Sequence, residues 1–293
     1  MTAPTTTGRR RTERKDWNDE RFDGNARNET VPIWDRCPAH HRPADVARPG
    51  APHRRQRILN AADARRSARQ PAPGPTLAVA AALTDLRVGT WVYASALRQP
   101  WSTAWEAHSL SVLTNGRFEM GIGTGRPGTE VELGLPVVPP SERLARMREI
   151  VTGLRDLDGP DVHTPVVMGV SGPKARALAA DLADTVAFAL MPGVDRSEIT
   201  QVVRDFRAIR DVELAQHVAV VGDTVAPFMA PPDTDPAALR AADSLEILPD
   251  DPAAAAEEIR RRREEIGFSY FVFGAACADA LAPVVAQLTG QSR

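Results

Sequence analysis

Two cysteines in 293 residues, Cys37 and Cys277, are too few and too far apart for a disulfide framework or a cysteine metal cluster. A reducing, cytoplasmic setting is therefore expected. No run approaches the roughly 18 consecutive apolar residues of a membrane-spanning helix. The opening MTAPTTTGRRRTERKD also lacks the apolar stretch of a secretory leader. No membrane partner is expected. A net charge of −2 excludes a polybasic nucleic-acid binder or an acidic tail protein for the chain as a whole.

The residues that are present are unevenly spread. Residues 1–75 carry 16 Lys and Arg against 9 Asp and Glu, together with 9 of the 25 prolines. Apolar residues stand there singly among Arg, Pro, Asp and Asn. Such a stretch buries little, so residues 1–74 are expected to be a disordered or aberrant basic segment, with at most a short helix such as Gln56–Ser67. Arg9–Arg11 and Arg54-Arg55 could attract phosphate backbones non-specifically, but without interleaved aromatics no specific nucleic-acid partner is expected. Cys37, His40 and His41 have no further ligand at useful spacing, and no metal site is assigned.

From residue 75 the pattern changes, and 75–293 reads as one domain. Leu77–Thr84 reads as the end of a buried helix and Leu86–Tyr93 as a strand. A helix over Ser102–Leu113 and a strand over Arg117–Ile122 follow. Ser141 is expected to cap a helix bearing Leu144, Met147, Ile150 and Leu154. Strands at Pro165–Val170, Asp184–Leu190, Leu214–Val221 and Phe268–Phe273 alternate with helices at Lys174–Ala183, Asp195–Ile209, Ala253–Glu265 and Asp279–Leu288. That alternation makes six short strands, apolar on both faces, as in a parallel sheet covered by crossover helices. Periodicity alone leaves an open doubly wound sheet and a barrel both standing.

Ser171-Gly172-Pro173-Lys174 lies between a strand and a helix, where backbone N–H groups and a lysine favour an anion; an ordinary βα turn uses the same residues. Gly121–Gly125 follows a strand without opening a helix at the spacing of a dinucleotide fingerprint. His108 and His217 read as structural, and Arg260–Arg263 as a solvated helix face.

Three stretches carry a resemblance: Leu86–Gly125, with its Arg-x-Pro turn and Gly-x-Gly-x-Gly loop; Pro165–Phe188, with its Ser-Gly-Pro loop; and Asp250–Phe273. Their order and spacing resemble the luciferase-like oxidoreductases, and most of all the deazaflavin (coenzyme F420)-dependent branch. The resemblance implies a TIM (β/α)8 barrel of the bacterial luciferase-like type whose first two strands are not recognisable here. Residues 12–70 would then read as a shifted frame of a GC-rich gene in place of those strands.

The implied activity is hydride transfer between F420 and an organic small-molecule substrate. FMN-dependent monooxygenation and an inactive truncated barrel stand as alternatives. A homodimer is also implied. By the same resemblance, Ser171, Gly172 and Lys174 hold the cofactor phosphate, and Thr90, Gly123, Thr124 and Gly125 lie at the barrel mouth beside its ring. Trp91 and Tyr93 end the same strand, where core packing explains Trp91 equally well. The family's acid after the glycine loop is replaced by Arg126, with Glu130 and Glu132 nearby. Its Asp-His pair falls in the unmatched region, so no catalytic residue is assigned. Arg98, Arg117 and Arg143 are expected to form scaffold ion pairs.

Overall fold

A computed structural model describes residues 57–60, 72–189, 193–227, 229–231 and 233–290. All of them fall within the unit Pro43–Arg293. The chain forms strand β1 (Arg57–Asn60), helix α1 (Pro73–Leu83), and strands β2 (Arg87–Thr90) and β3 (Tyr93–Ala94). Then come α2 (Pro100–Leu113), β4 (Phe118–Gly123), the single turn α3 (Thr129–Glu132), α4 (Pro140–Asp158), β5 (Val166–Val170), α5 (Pro173–Leu182) and β6 (Thr185–Phe188). Next are α6 (Arg196–Arg207), β7 (Glu213–Val218), β8 (Val220–Val221), β9 (Thr224–Val225), α7 (Pro236–Ala241) and β10 (Ile247–Leu248). The last are α8 (Pro252–Glu265), β11 (Tyr270–Phe273) and α9 (Ala278–Gly290).

Proline sets many of the helix starts. Among the described helices, α1, α2, α4, α5, α7 and α8 have proline in the first turn, where its missing N–H costs nothing and its fixed φ suits the helix. Asp195 and Asp251 add side-chain caps, accepting from the N–H groups of Glu198 and Ala254 at 2.9 and 2.8 Å. Helix α4 begins at Pro140 with Pro139 as its cap residue, so the cap expected from Ser141 does not form.

The main sheet runs β1-β2-β4-β5-β6-β7-β11, and neighbouring strands in that order pair in parallel. A small side sheet, β10-β8-β9, grows from the end of β7. Side chains alternate along each strand. On one face Phe118, Met120, Val166, Met168, Val186 and Leu214 pack under the helices with Leu77, Met147 and Phe206. Each such fully buried side chain contributes roughly 1.5–3 kcal/mol relative to exposure. On the other face Val167, Ala187, Ala215, Tyr270 and Val272 meet, with Trp91 against them.

That inner face is curled. Strands β4 and β11 are four steps apart in the sheet order, roughly 19 Å if the sheet were flat. Yet the Tyr270 hydroxyl donates to Glu119 Oε1 at 2.5 Å. Only a sheet bent towards a cylinder brings β11 across to β4, so the architecture is that of a partial (β/α)8 barrel.

Two expectations are corrected. Residues 57–60 form a strand paired in register with β2, from Arg57↔Arg87 to Asn60↔Thr90, where a short helix was expected. One strand more than the sequence suggested therefore joins the sheet. Cys37, His40, His41 and most of the segment read as frame-shifted lie outside the described residues. The second correction concerns Arg260–Arg263. Arg262 is 1% exposed and donates to Leu245 O, Ile247 O and Glu258 Oε1 at 2.6, 2.7 and 2.6 Å. It lies seven residues after Ala255 and three after Ile259, on the inward helix face, while its neighbours Arg261 and Arg263 fall elsewhere.

Candidate active site

Strands β2, β4 and β5 deliver all the sequence-predicted cofactor residues to one end of the sheet. Gly123 is in register with Gly169, so Thr124 and Gly125 leave β4 beside the point where Ser171, Gly172 and Lys174 leave β5. Thr90 ends β2 next to them.

Between Thr90 and Tyr93 the chain leaves the sheet and rejoins it as β3, opposite Ile122 and Gly123. The intervening Trp91–Val92 peptide is cis. The glycines of β4 make room for this excursion. A Cβ on Gly121 would stand 1.9 Å from Thr90 O, and one on Gly123 would stand 3.0 Å from Val92 Cγ2. Thr90 itself is 1% exposed, and its hydroxyl both donates to Gly121 O at 2.8 Å and accepts from Gly121 N at 2.9 Å. Its polar group is thus committed to pinning the excursion. Gly125 turns the chain with φ +84°, a conformation that side-chain-bearing residues rarely adopt.

Trp91 faces inward, edge-on to Tyr270 with ring centroids 6.4 Å apart. Tyr93 faces outward, a correction to its expected place against the cofactor ring. Its hydroxyl donates to Glu106 Oε1 at 2.7 Å, and Arg98 lies 3.7 Å over its ring while pairing with Glu106 at 3.0 Å. Burial, and then the Glu106 carboxylate, push that hydroxyl far above its ordinary pKa. The two residues differ because they stand on opposite sides of the chain excursion.

The loop after Gly125 is tied down by Arg143, which donates to Val138 O at 2.8 Å and to Glu130 Oε1 at 2.5 Å. Glu130 is 1% exposed. Its own backbone N–H, that of Val138 and the Arg143 guanidinium hold its carboxyl below the ordinary range against the opposing effect of burial. Glu132 pairs with Arg126 at 3.1 Å. Arg117 differs from the ion pair expected of it, spending its guanidinium on the carbonyls of Ala81, Thr84, Leu86 and Thr114. It closes the end of α1 onto β4.

Ser171, Pro173 and Lys174 are exposed at the start of α5. No side chain caps that helix, and a Cβ on Gly172 would meet nothing within 4 Å. Its first-turn N–H groups and Lys174 therefore face an open approach, and this donor set fits a phosphate. Among the described residues no group of three His, Cys, Asp or Glu side chains could hold a metal ion. His108 Nδ1 donates to Asp158 Oδ1 at 2.8 Å in the outer helix layer, as a structural histidine would.

Comparison with known proteins places this geometry. Residues 57–162 match the luciferase-like monooxygenase family. The match includes β1, Thr90 and Gly123–Gly125, and it ends before Ser171. An F420-dependent glucose-6-phosphate dehydrogenase of Beutenbergia cavernae is 34% identical over 137 residues, which is 39% of this chain and 41% of the relative. The chain thus spans about two fifths of the length of that curated relative. Among solved structures, the coenzyme F420-dependent tetrahydromethanopterin reductase of Methanopyrus kandleri superposes with a TM-score of 0.60 at 15% identity, over 81% of this chain and 91% of the reductase. An F420-dependent secondary alcohol dehydrogenase, solved with an F420–acetone adduct, gives 0.58 at 18% identity over 74% of this chain and 84% of its own. These superpositions show a shared fold.

Two features of the site had no counterpart in the sequence reading. His217 faces inward with Ala215, in register with Val272 of the interior cluster, which alternation along β7 could have revealed had the register been known. The contact between Tyr270 and Glu119 spans 151 residues and left no local signal.

Proposed function

We propose that this chain is an F420-dependent, luciferase-like oxidoreductase that transfers hydride between the deazaflavin and an organic substrate bearing an oxidisable hydroxyl. The observation that carries the reading is the convergence of the glycine-bordered Trp91–Val92 excursion and the open α5 N-terminus on one end of the sheet. The similarity to enzymes named as F420-dependent dehydrogenases supports the cofactor and the substrate class. The N–H groups of α5 and Lys174 would hold the cofactor phosphate. The backbone around Val92, Gly123 and Thr124 would shape the ring pocket, and the bound deazaflavin would supply the hydride acceptor.

No helix of the described residues is long and apolar enough to cross a membrane. A cytoplasmic homodimer is part of the proposal. Trp101 and Trp105, 66% and 54% exposed on α2 with ring centroids 5.0 Å apart, support a covered face there. The division into an N-terminal segment and a barrel domain also remains part of the proposal.

The test is anaerobic turnover with F420 and either glucose 6-phosphate or 2-propanol, followed by loss of the oxidised deazaflavin's visible absorbance. Turnover of either donor is the expected result. Oxygen-dependent turnover with FMN and none with F420 would overturn the proposal in favour of a monooxygenase.

A further inference from the structure

A histidine and a carboxylate meet on the inner wall at the mouth end of β7. His217 shares a strand face with Ala215 and stands in register with Val272, and both of those belong to the interior cluster. It lies two residues nearer the C-terminal end of the strand than Ala215, the end at which barrel active sites are built. Its Nδ1 is 3.6 Å from Glu246 Oε1, within ion-pair range and just beyond a hydrogen bond. The two side chains are 25% and 16% exposed, so the pair is neither sealed in the core nor free in solvent.

The surroundings set this pair apart from a surface contact. Glu246 Oε2 is buried without a hydrogen-bond partner among the described residues, and so is Gln216 Oε1. Gln216, His217 and Glu246 line one cavity of about 30 Å³. That volume accommodates a water, and a water has two hydrogens to donate to two orphan acceptors. Gln216 is fixed from its other end, where Nε2 donates to Leu245 O at 2.5 Å. Glu246 is therefore held between His217 and a cavity otherwise lined by Gln216 and the apolar Phe188, Ile199, Ala215, Leu245 and Phe268, and a stability role alone does not explain its unmet acceptor beside an inward-facing imidazole.

We infer that His217 is the acid/base residue of the proposed oxidoreduction and that Glu246 positions its ring. The inference rests on the deazaflavin reading above. In the oxidising direction a bound deazaflavin would supply the acceptor for the hydride of the substrate C–H bond. The O–H bond gives its proton to Nε2 of His217, the nitrogen not facing Glu246, and a C=O bond forms. The two electrons leave with the hydride, and the proton charge on the imidazole is balanced by the Glu246 carboxylate. The reverse direction returns the proton to the new hydroxyl.

The test begins with carbethoxylation by diethyl pyrocarbonate, read by mass spectrometry in the presence and absence of F420. Bound F420 at ten times its Kd is expected to slow modification of His217 by about tenfold, while His163, exposed beside Asp184, reacts at an unchanged rate. His217→Gln is expected to melt like the parent and to keep its F420 affinity. With a donor that the parent turns over, it should lose about 10²-fold in kcat. Glu246→Gln should lower kcat with little change in KM. Modification of His217 that ignores bound F420, or a His217→Gln protein with kcat intact, overturns this assignment alone. Failure of the parent to bind F420 overturns the deazaflavin reading and this role with it.

Discussion

Tyr270 reaches across the inside of the sheet to Glu119, hydroxyl to carboxylate at 2.5 Å, and so joins β11 to β4. Both residues are buried. Tyr270→Phe keeps the ring against Trp91 and removes only the donor. The expected loss is about 1–3 kcal/mol, the cost of taking a hydrogen bond from a buried carboxylate. Urea denaturation of the two proteins measures it. Equal stability would show that the curl does not depend on this bond.

The Trp91–Val92 excursion depends on Gly121. With Thr90 O only 1.9 Å from where its Cβ would sit, Gly121→Ala forces the backbone of β2 and β4 apart. A loss of about 1–3 kcal/mol or more is expected, together with loss of cofactor binding. Gly172→Ala meets no atom within 4 Å and is expected to leave stability unchanged. Thermal melts of the pair distinguish steric need from a general aversion to substitution.

Arg262 and Glu258 form a part-buried network with Arg196, which pairs with Glu258 at 2.6 Å. Burial acts to raise the Glu258 carboxyl, and the hydrogen bonds from Arg196 and Arg262 outweigh it, holding it below its ordinary range. A depressed carboxylate contributes stability that is present above its unfolded pKa, about 4.3 for Glu. That contribution is lost as pH falls through the lower folded value. Arg262→Met is expected to cost about 1–3 kcal/mol at neutral pH by leaving the buried Leu245 and Ile247 carbonyls without their donor, while Glu258 keeps Arg196. It should also flatten the acid limb of the stability profile. Denaturation measured from pH 7 down to pH 3 checks both.

Lys174 is one of two lysines in the chain. Amine acetylation can therefore report on it almost alone. Bound F420 is expected to protect Lys174, and Lys174→Ala should weaken binding by up to about fivefold, since an exposed charge contributes roughly 0–1 kcal/mol. Higher salt should narrow the difference between the two proteins.

Much of this fold was legible because strands and helices alternate with strong local signals. The helices beginning at Pro100, Pro173 and Pro252 and the strand ending at Gly123 fall within two residues of their expected bounds. The four-residue β1 was not legible. Arg-Ile-Leu-Asn has no periodicity of its own, and its state is set by pairing with β2. Arg262 was misread because a run of four arginines looks uniformly solvated until helix phase turns one of them inward. At the site, the neighbouring loops after β4 and β5 followed from motif order. Thr90 was placed correctly at the strand end, but its hydroxyl is spent on Gly121, and no sequence pattern records that. The meeting of His217 with Glu246 depends on β10 pairing with β8, which follows β7 in the chain, and both β10 and the short helix before it were missed.

A fluorescence titration of the purified protein with F420, with FMN in parallel, tests the central claim most directly. Saturable binding of F420 at micromolar concentration, weaker for Lys174→Ala and abolished by Gly121→Ala, is the predicted result. A folded protein that binds neither cofactor would contradict the account and leave a barrel without a working mouth.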